Sequence, residues 1–150
     1  MQPRLSILLT VWTAAQRINQ LVTNELIAAN AWTPRFATLV MIVLREPLTP
    51  KALAEAMGFP PTTMSDYLAE LFEAGLIKRT PNPADGRSYL VRPTPKGRKA
   101  FERGSVASNR AHRLLEENLE RPLEEIEKTI DELTRALDAA LSTQASAKVR

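Results

Sequence analysis

The chain has 150 residues, 44% of them hydrophobic and 25% charged, which is the composition of a folded globular domain rather than a disordered one. It contains no cysteine, so disulfides, Cys-based zinc sites and thiol redox switches are excluded. The sequence offers neither an apolar run of about 18 residues nor a signal peptide, and we therefore expect a cytoplasmic protein without a membrane span.

The net charge of +3 is distributed unevenly along the chain. Residues 75–100 carry seven basic side chains against one acidic side chain, a net charge of +6, whereas residues 1–74 and 101–150 are both slightly acidic. A positive stretch of this density is typical of a surface that binds a polyanion. A solvated charged loop is the alternative interpretation.

The first predicted element is a long amphipathic helix over residues 5–30. Apolar residues recur there at spacings of three and four, which is the period of one helix face. The members of this stripe are Leu5, Leu8, Leu9, Trp12, Ala15, Ile18, Leu21, Val22 and Leu26.

Three Thr-Pro pairs predict the beginnings of further helices. The threonine hydroxyl can accept a bond from a free N–H group of the first turn, and a proline at the first helical position sacrifices no hydrogen bond. The pairs Thr33-Pro34, Thr49-Pro50 and Thr94-Pro95 therefore predict helices that begin near residues 34, 50 and 95.

Residues 53–71 have the pattern of a helix-turn-helix. Gly58 permits the tight turn, and Ala54 is small where the two helices would cross. The apolar residues at helical spacing are expected to form the shared core of the pair; they are Leu53, Met57, Met64, Leu68 and Leu71.

Short polar side chains cluster at the beginning of the second helix of this pair: Thr62, Thr63, Ser65 and Asp66. A recognition helix enters the major groove of DNA by this end, where hydroxyl groups can reach base edges or phosphates. The alternative is that Thr62 and Thr63 merely cap the helix.

A β-hairpin is predicted directly after the helix-turn-helix. Residues 76–80 and 88–92 are strand-like runs, and the segment between them has turn chemistry at Asp85-Gly86. The hairpin therefore has a long tip.

The C-terminal part is predicted to be helical after Pro95, with Pro122 beginning or kinking a long helix. Its apolar residues alternate spacings of four and three, as in a heptad seam; they are Leu115, Leu119, Leu123, Ile126, Ile130, Leu133, Leu137 and Ala140. Packing within the same chain is one interpretation. Long amphipathic helices at both ends of the chain favour the other, a homodimer held together by an intersubunit helical bundle.

The order of these parts resembles the MarR family of bacterial transcriptional regulators. The most specific pieces are Gly75-Leu76-Ile77-Lys78-Arg79, the Asp85-x-Arg87 wing tip and Thr94-Pro95-Lys96-Gly97. The resemblance implies one MarR-like domain over residues 1–150, mostly α-helical with a small β-hairpin wing. In that domain residues 33–97 form the winged helix-turn-helix lobe, and residues 1–32 and 98–150 form the helical dimerisation region.

The resemblance also implies a role for the basic residues of the lobe. Arg87 would insert into the minor groove from the wing tip, oriented by the carboxylate of Asp85, although Asp85 could equally form the turn with Gly86. Phosphate contacts are implied for a second group of residues, which are Lys51, Lys78, Arg79 and Arg92.

Two positions depart from the family pattern. Asp66 stands where family members often have a basic residue, and its carboxylate could accept from a cytosine amino group or pair with a neighbouring arginine. The wing reads Asp85-Gly86-Arg87 rather than a doubly basic tip, which leaves one arginine for insertion.

The function implied is that of a dimeric, sequence-specific DNA-binding regulator that represses a nearby operon from a pseudo-palindromic operator. A small-molecule effector is expected where the dimerisation helices meet the lobe. No metal or other cofactor is expected, because His112 is the only histidine and has no ligand cluster around it. An enzyme is not expected either, and the alternative function is a winged-helix module that binds other proteins without specific DNA binding.

Overall fold

The computed structural model describes residues 6–147, which form six helices and one two-stranded antiparallel sheet. In chain order the elements are α1 (Ser6–Ala28), α2 (Phe36–Arg45), α3 (Pro50–Met57), α4 (Pro61–Glu73), β1 (Ile77–Pro81), β2 (Tyr89–Pro93), α5 (Pro95–Glu117) and α6 (Leu123–Ala147). The chain divides into two compact units, one ending at Ala111 and the other beginning at His112. The predicted fold class, mostly α-helical with a β-hairpin wing, is confirmed.

The main core of the first unit lies where α2, α3, α4 and the hairpin meet. Its buried apolar side chains include Leu39, Ile42, Leu53, Met64, Leu68, Leu71, Leu76, Ile77 and Val91. Burying one such side chain contributes about 1.5–3 kcal/mol, so this cluster accounts for much of the stability of the unit. Because Met64, Leu68 and Leu71 occupy one face of α4, the opposite face of that helix is left to solvent.

The hairpin is fixed to the segment that precedes α3. Its strands pair from Ile77 with Pro93 to Pro81 with Tyr89, one residue later in both strands than the sequence predicts. The N–H group of Val91 donates to the carbonyl oxygen of Leu48 at 2.8 Å. This bond extends the small sheet towards α3, so the wing lies beside the beginning of that helix.

Two of the three predicted Thr-Pro helix starts are confirmed. The hydroxyl oxygen of Thr49 accepts from the N–H of Ala52 at 3.1 Å, and that of Thr94 accepts from the N–H of Gly97 at 3.0 Å. Pro50 and Pro95 are the first residues of α3 and α5. These starts are set by local chemistry, as the sequence predicts.

The start predicted at Thr33-Pro34 is wrong. The Thr33 hydroxyl is buried and donates backwards to the carbonyl oxygen of Ala31 at 3.1 Å, so it does not cap a helix. Helix α2 begins two residues later, at Phe36, after Arg35 adopts a left-handed backbone with φ of 49°. Ala31 is itself buried, so the Thr33 hydroxyl satisfies a carbonyl oxygen of a buried residue.

Helix α1 leaves most of its apolar stripe exposed. Leu26 is buried and Val22 packs beside it, but the N-terminal part of the helix exposes Ile7, Leu8, Leu9, Trp12 and Ile18. The predicted stripe residue Leu5 lies outside the described residues. An apolar surface of this extent on one helix marks an interaction site.

Helix α6 has no buried residue along its whole length, Leu123–Ala147. It begins directly after Pro122, as the sequence predicts, but the continuous heptad seam is wrong, because Leu115 lies in α5 and Leu119 lies between the two helices. The remaining seam residues, from Leu123 to Ala140, lie on α6. This helix has an apolar face that nothing within its own unit buries.

Gly97 provides a close approach between α5 and the end of the turn after α4. A Cβ atom at this position would lie 2.0 Å from the carbonyl oxygen of Leu76, which is held in place because it accepts the N–H of Thr94 at 2.9 Å. We expect Gly97→Ala to lower the free energy of unfolding by about 1–3 kcal/mol, since the clash exceeds the helix-propensity gain of about 1 kcal/mol. Urea unfolding at one fixed protein concentration measures this loss. Gly86→Ala is the control, because its Cβ would meet nothing within 4 Å, and an equal loss in both variants would contradict the packing role.

Candidate nucleic-acid interface

The geometry of the helix-turn-helix is set by the turn between α3 and α4. Gly58 ends α3 in a left-handed conformation with φ of 67°, and the N–H of Phe59 donates a hydrogen bond to the carbonyl oxygen of Ala54 at 2.9 Å. Ala54 is 3% exposed at this crossing. The Phe59 ring then packs edge-on against Tyr67 of α4, with centroids 5.2 Å apart. The turn and the small crossing residue are as the sequence predicts.

The beginning of α4 presents its polar side chains to solvent. Thr62, Ser65 and Asp66 are exposed and Thr63 is half-buried. The helix begins after Pro60 without a side-chain cap, so the alternative in which Thr62 and Thr63 cap the helix is wrong. Among the described residues these four side chains have no hydrogen bond or ion pair, and they remain available to an external partner.

The tip of the wing is built from two consecutive turns. The N–H of Asp85 donates to the carbonyl oxygen of Asn82 at 3.3 Å, and the N–H of Ser88 donates to the carbonyl oxygen of Asp85 at 3.0 Å. The Asn82 amide also donates to the Ser88 hydroxyl at 2.6 Å and ties the two ends of the tip together. These bonds hold the tip in one shape before any partner binds.

Within this tip Asp85 holds the main chain of Arg87. Its Oδ1 accepts the backbone N–H of Arg87 at 3.0 Å, which is the turn-forming role weighed from the sequence. In the described chain no ion pair joins the Asp85 carboxylate to the Arg87 guanidinium. The Arg87 side chain is exposed at the tip and is left without a partner in the described part of the chain.

The base of the wing holds one arginine between two aromatic rings. The Arg79 guanidinium lies 4.9 Å from the ring centroid of Phe72 in α4 and 4.6 Å from that of Tyr89 in β2. Such cation–π contacts contribute about 0.5–1 kcal/mol at exposed sites and restrict the side chain. Lys78, the neighbouring residue, is exposed and forms no ion pair within residues 6–147.

Glu46 neutralises part of the basic stretch. Its carboxylate lies 3.7 Å from Arg92 and also pairs closely with Arg98. Lys96 is occupied as well, because its ammonium group donates to the Ala74 carbonyl oxygen at the end of α4, at 2.7 Å. The charge of residues 75–100 is therefore less available to a polyanion than its sequence count indicates, and Arg92 is the predicted contact most affected.

Lys51 stands at the beginning of α3, close to the wing. Its ammonium group is as far as 4.0 Å from the Glu55 carboxylate, and both side chains are largely exposed, so this ion pair is weak. Lys51 lines one shallow depression together with Thr49, Asp85 and Arg87. The first turn of α3 and the wing tip thus border one surface.

A cavity of about 450 Å³ lies on the other side of the helix-turn-helix, between α1, the loop before α2 and α4. We name it the α1–α4 cavity. Its lining residues are Ile18, Asn19, Val22, Thr23, Leu26, Trp32, Thr33, Arg35, Phe36, Ala37, Thr38, Met57, Phe59 and Tyr67. Trp32, one of these lining residues, is exposed at the surface.

The contact that links this cavity to α4 was not predicted from the sequence. The guanidinium of Arg35 donates to both carboxylate oxygens of Glu70, Nη2 to Oε1 at 2.6 Å and Nε to Oε2 at 3.0 Å. It also lies 3.9 Å from the centroid of the Tyr67 ring. The hydrogen bonds to Glu70 raise the pKa of Arg35 against a smaller opposing effect of burial, so this side chain is always charged. No local signal in the sequence indicates a pair 35 residues apart.

Within residues 6–147, no three acidic or histidine side chains converge as metal ligands would, and His112 is exposed. No helix of that range combines the length and the apolarity that a membrane span requires.

The exposed beginning of α4, the turn at Gly58 and the hairpin beside α3 together define a winged helix-turn-helix protein. Residues 33–89 match the model of the MarR family. This match confirms the resemblance to the MarR family of transcriptional regulators for the winged helix-turn-helix, which carries a MarR-family domain over that range. MarR proteins are in general transcription factors rather than enzymes. No curated protein matches the chain.

Several solved structures of transcriptional regulators are similar to the chain. The regulator MosR of M. tuberculosis in complex with DNA has a TM-score of 0.75 and 24% identity, covering 87% of this chain and 95% of that one. A cysteine-to-serine mutant of E. coli MarR complexed with operator DNA has a TM-score of 0.74 and 24% identity, covering 90% and 94%. PcaV of Streptomyces coelicolor with its natural ligand has a TM-score of 0.66 and 25% identity, covering 85% and 91%.

Proposed function

We propose that the protein is a homodimeric, sequence-specific DNA-binding repressor whose hold on a pseudo-palindromic operator is modulated by a small molecule. The observation that carries this proposal is the pairing of an exposed, unpartnered polar end on α4 with a preformed wing tip that presents Arg87. The half-sites are expected about 10 bp apart, centre to centre, in successive major grooves. The solved structures of MosR and E. coli MarR with DNA support the same use of the fold.

In this proposal α4 reads bases with Thr62, Thr63, Ser65 and Asp66. Hydroxyl groups can donate or accept at base edges, and a carboxylate accepts from the amino group of cytosine. Arg35 is close enough to interact electrostatically with Asp66, but it forms its ion pair with Glu70 instead. The base-reading role is therefore the one we assign to Asp66.

The phosphate contacts are assigned to basic side chains around this helix. Lys51 and Lys78 are both exposed. Within the described chain Lys51 has only a weak ion pair with Glu55 and Lys78 has none, so both are available to contact a phosphate. Arg79 is oriented by its two aromatic neighbours. Arg92 takes part only if DNA phosphate competes with Glu46, so we rank it last among the four.

The dimer is assigned to the terminal helices. The exposed apolar residues of α1 and the unburied seam of α6 need a partner surface, and a second copy of the same chain supplies matching ones. We accordingly assign residues 33–97 to the DNA-binding lobe, and residues 1–32 and 98–150 to the dimerisation region.

The effector site is assigned to the α1–α4 cavity. Its volume and its mixture of apolar walls and a few polar groups are those of small-molecule sites. PcaV, one of the similar proteins, has a solved complex with its natural ligand, and CouR of Rhodococcus jostii has one with p-coumaroyl-CoA. A molecule in this cavity touches both α1 and α4, and so can change the spacing of the two recognition helices in a dimer.

A mobility-shift titration with DNA from upstream of the protein's own gene tests the proposal. The expected result is one specific complex whose affinity falls steeply as the salt concentration rises, because binding releases counterions from the phosphates. Random DNA of equal length is the control and should bind much more weakly. A winged-helix module that binds only proteins predicts no salt-dependent affinity for any duplex, and that result would reject the proposal.

Asp66→Ala tests whether α4 reads bases at this position. We expect the variant to lose discrimination at one base pair of each half-site, by about 1–3 kcal/mol, while the slope of affinity against salt stays unchanged. Selection from a randomised operator followed by affinity measurement on single-base variants gives both quantities. Glu73→Ala removes the same charge at the other end of α4 and should leave the preference intact. A uniform affinity change on all sequences would count against base reading by Asp66.

A further inference from the structure

We propose that the segment Thr94-Pro95-Lys96-Gly97 is a clamp that fixes the end of α4 to α5 and thereby determines which half-site spacing the dimer accepts. We name this segment the α4–α5 clamp. The inference rests on the proposed function of a dimeric DNA-binding regulator. It adds residues that touch no DNA and yet determine operator specificity.

The backbone at the end of α4 offers three consecutive carbonyl oxygens, and the clamp supplies a donor to each of them. The Lys96 ammonium group donates to the carbonyl oxygen of Ala74 at 2.7 Å. The Thr94 hydroxyl donates to that of Gly75 at 2.7 Å, and the Thr94 N–H donates to that of Leu76 at 2.9 Å. Carbonyl groups at a helix end have no partner within the helix, so these bonds satisfy them from the beginning of α5.

The same segment begins α5, so these bonds join the two helices directly. The Thr94 hydroxyl that donates to Gly75 also accepts the N–H of Gly97, in the first turn of α5, at 3.0 Å. Gly97 is buried, and its lack of a side chain lets the Leu76 carbonyl group lie against the helix. Along the chain the whole hairpin stands between α4 and α5. The clamp therefore gives α4 a short connection to α5 that bypasses the wing.

The charge of Lys96 suits the end of a helix. The C-terminal end of α4 carries the negative end of the helix dipole, where a cation is stabilised. Lys96 is thus a positioning residue for α4, although it belongs to the most basic stretch of the chain. Lys99, one turn further along α5, is exposed and has no hydrogen bond or ion pair within residues 6–147. It offers a matched control for the removal of one positive charge.

A fixed joint between α4 and α5 makes the dimer selective for half-site spacing. Because α5 leads from the lobe into the proposed dimerisation region, the angle between α4 and α5 sets the direction of each recognition helix. One base pair more or fewer between the half-sites rotates one of them by about 35° around the DNA axis. A rigid joint resists this rotation. Gly75, with φ of 69° and open space where a Cβ would lie, would permit it if the clamp were open.

Lys96→Met tests the clamp on the selected operator and on versions with one base pair inserted or deleted between the half-sites. We expect the variant to lose about two- to tenfold of the parent's preference for the correct spacing, the equivalent of one hydrogen bond. Lys96→Arg keeps a donor and should restore most of the preference, and Lys99→Met should leave it unchanged. The slope of affinity against salt should keep the parent's value, whereas loss of a phosphate contact would reduce it by about one.

Two results of this titration would overturn the clamp. A lobe that is merely destabilised by Lys96→Met would bind all three DNAs more weakly by the same factor, and the spacing preference would not change. A reduced salt slope with an unchanged preference would show that Lys96 contacts phosphate instead.

A measurement without DNA separates the clamp from the proposed function. The chain contains no cysteine, so Ser65→Cys provides a single exposed position for a spin label on each recognition helix of the dimer. The distribution of label-to-label distances from pulsed electron paramagnetic resonance should be wider in Lys96→Met than in the parent or in Lys99→Met. A wider distribution in a protein that binds no operator would support the clamp and reject the DNA-binding function. Specific operator binding with an unchanged distribution and an unchanged spacing preference would reject the clamp and leave that function standing.

Discussion

Arg87→Ala is expected to weaken operator binding by about five- to 150-fold per wing, the loss of about 1–3 kcal/mol that follows removal of a direct DNA contact. The Arg87 side chain is exposed at a tip whose backbone is held by the hydrogen bonds among Asn82, Asp85 and Ser88. Because the backbone is already ordered, the tip loses less conformational entropy when it binds DNA. A narrow minor groove concentrates negative potential, which a guanidinium inserted there would meet. Fluorescence anisotropy with labelled operator at physiological salt measures the loss.

Two controls separate a wing contact from a general loss of charge. Arg103→Ala removes one positive charge from an exposed position on α5 and should weaken binding far less. Arg87→Lys keeps the charge but loses the planar fork, and it should give an intermediate affinity. The dimer should stay intact in all three variants. Parent-like affinity in Arg87→Ala would show that the wing tip is not a DNA contact.

Features that depend on neighbouring residues were predictable from the sequence. The Thr49-Pro50 and Thr94-Pro95 helix starts, the left-handed Gly58 and the break at Pro122 all follow from chemistry within one or two turns of chain. Thr33-Pro34 has the same local pattern, yet its hydroxyl donates backwards to the carbonyl oxygen of the buried residue Ala31. The partner that a threonine takes depends on burial, which tertiary packing decides and a dipeptide does not encode.

The candidate site shows the same division. The sequence locates the polar end of α4 and the wing arginine, because both lie within recognisable supersecondary units. It overstates the free positive charge, since Glu46 neutralises Arg92 and Arg98 from 46 and 52 positions away. It also misses the Arg35–Glu70 pair. Ion pairs between distant segments leave no periodic signal in the chain, so charge counting finds the stretch but not its available part.

Substitutions in the apolar seam of α6 are expected to abolish dimerisation. We expect the double variant Ile130→Asp/Leu137→Asp to be monomeric, with a mass near 16.7 kDa instead of twice that value. In the single chain these side chains are 53% and 42% exposed, so aspartate at these positions should not destabilise the fold of the monomer. In a dimer the same carboxylates would be buried against an apolar partner helix, at a cost of several kcal/mol each. Sedimentation equilibrium measures the mass.

Monomerisation should in turn lower operator affinity by about a hundredfold or more. When one lobe of a dimer is bound, the second lobe is held at a high effective concentration near its half-site, and separate monomers lack this advantage. The control is Arg135→Asp/Ala139→Asp, which places two aspartates on the opposite face of the same helix, where both positions are exposed. That variant should remain dimeric and retain its affinity. If Ile130→Asp/Leu137→Asp were still a dimer, α6 would not supply the interface, and the exposed apolar residues of α1 would have to account for dimerisation without it.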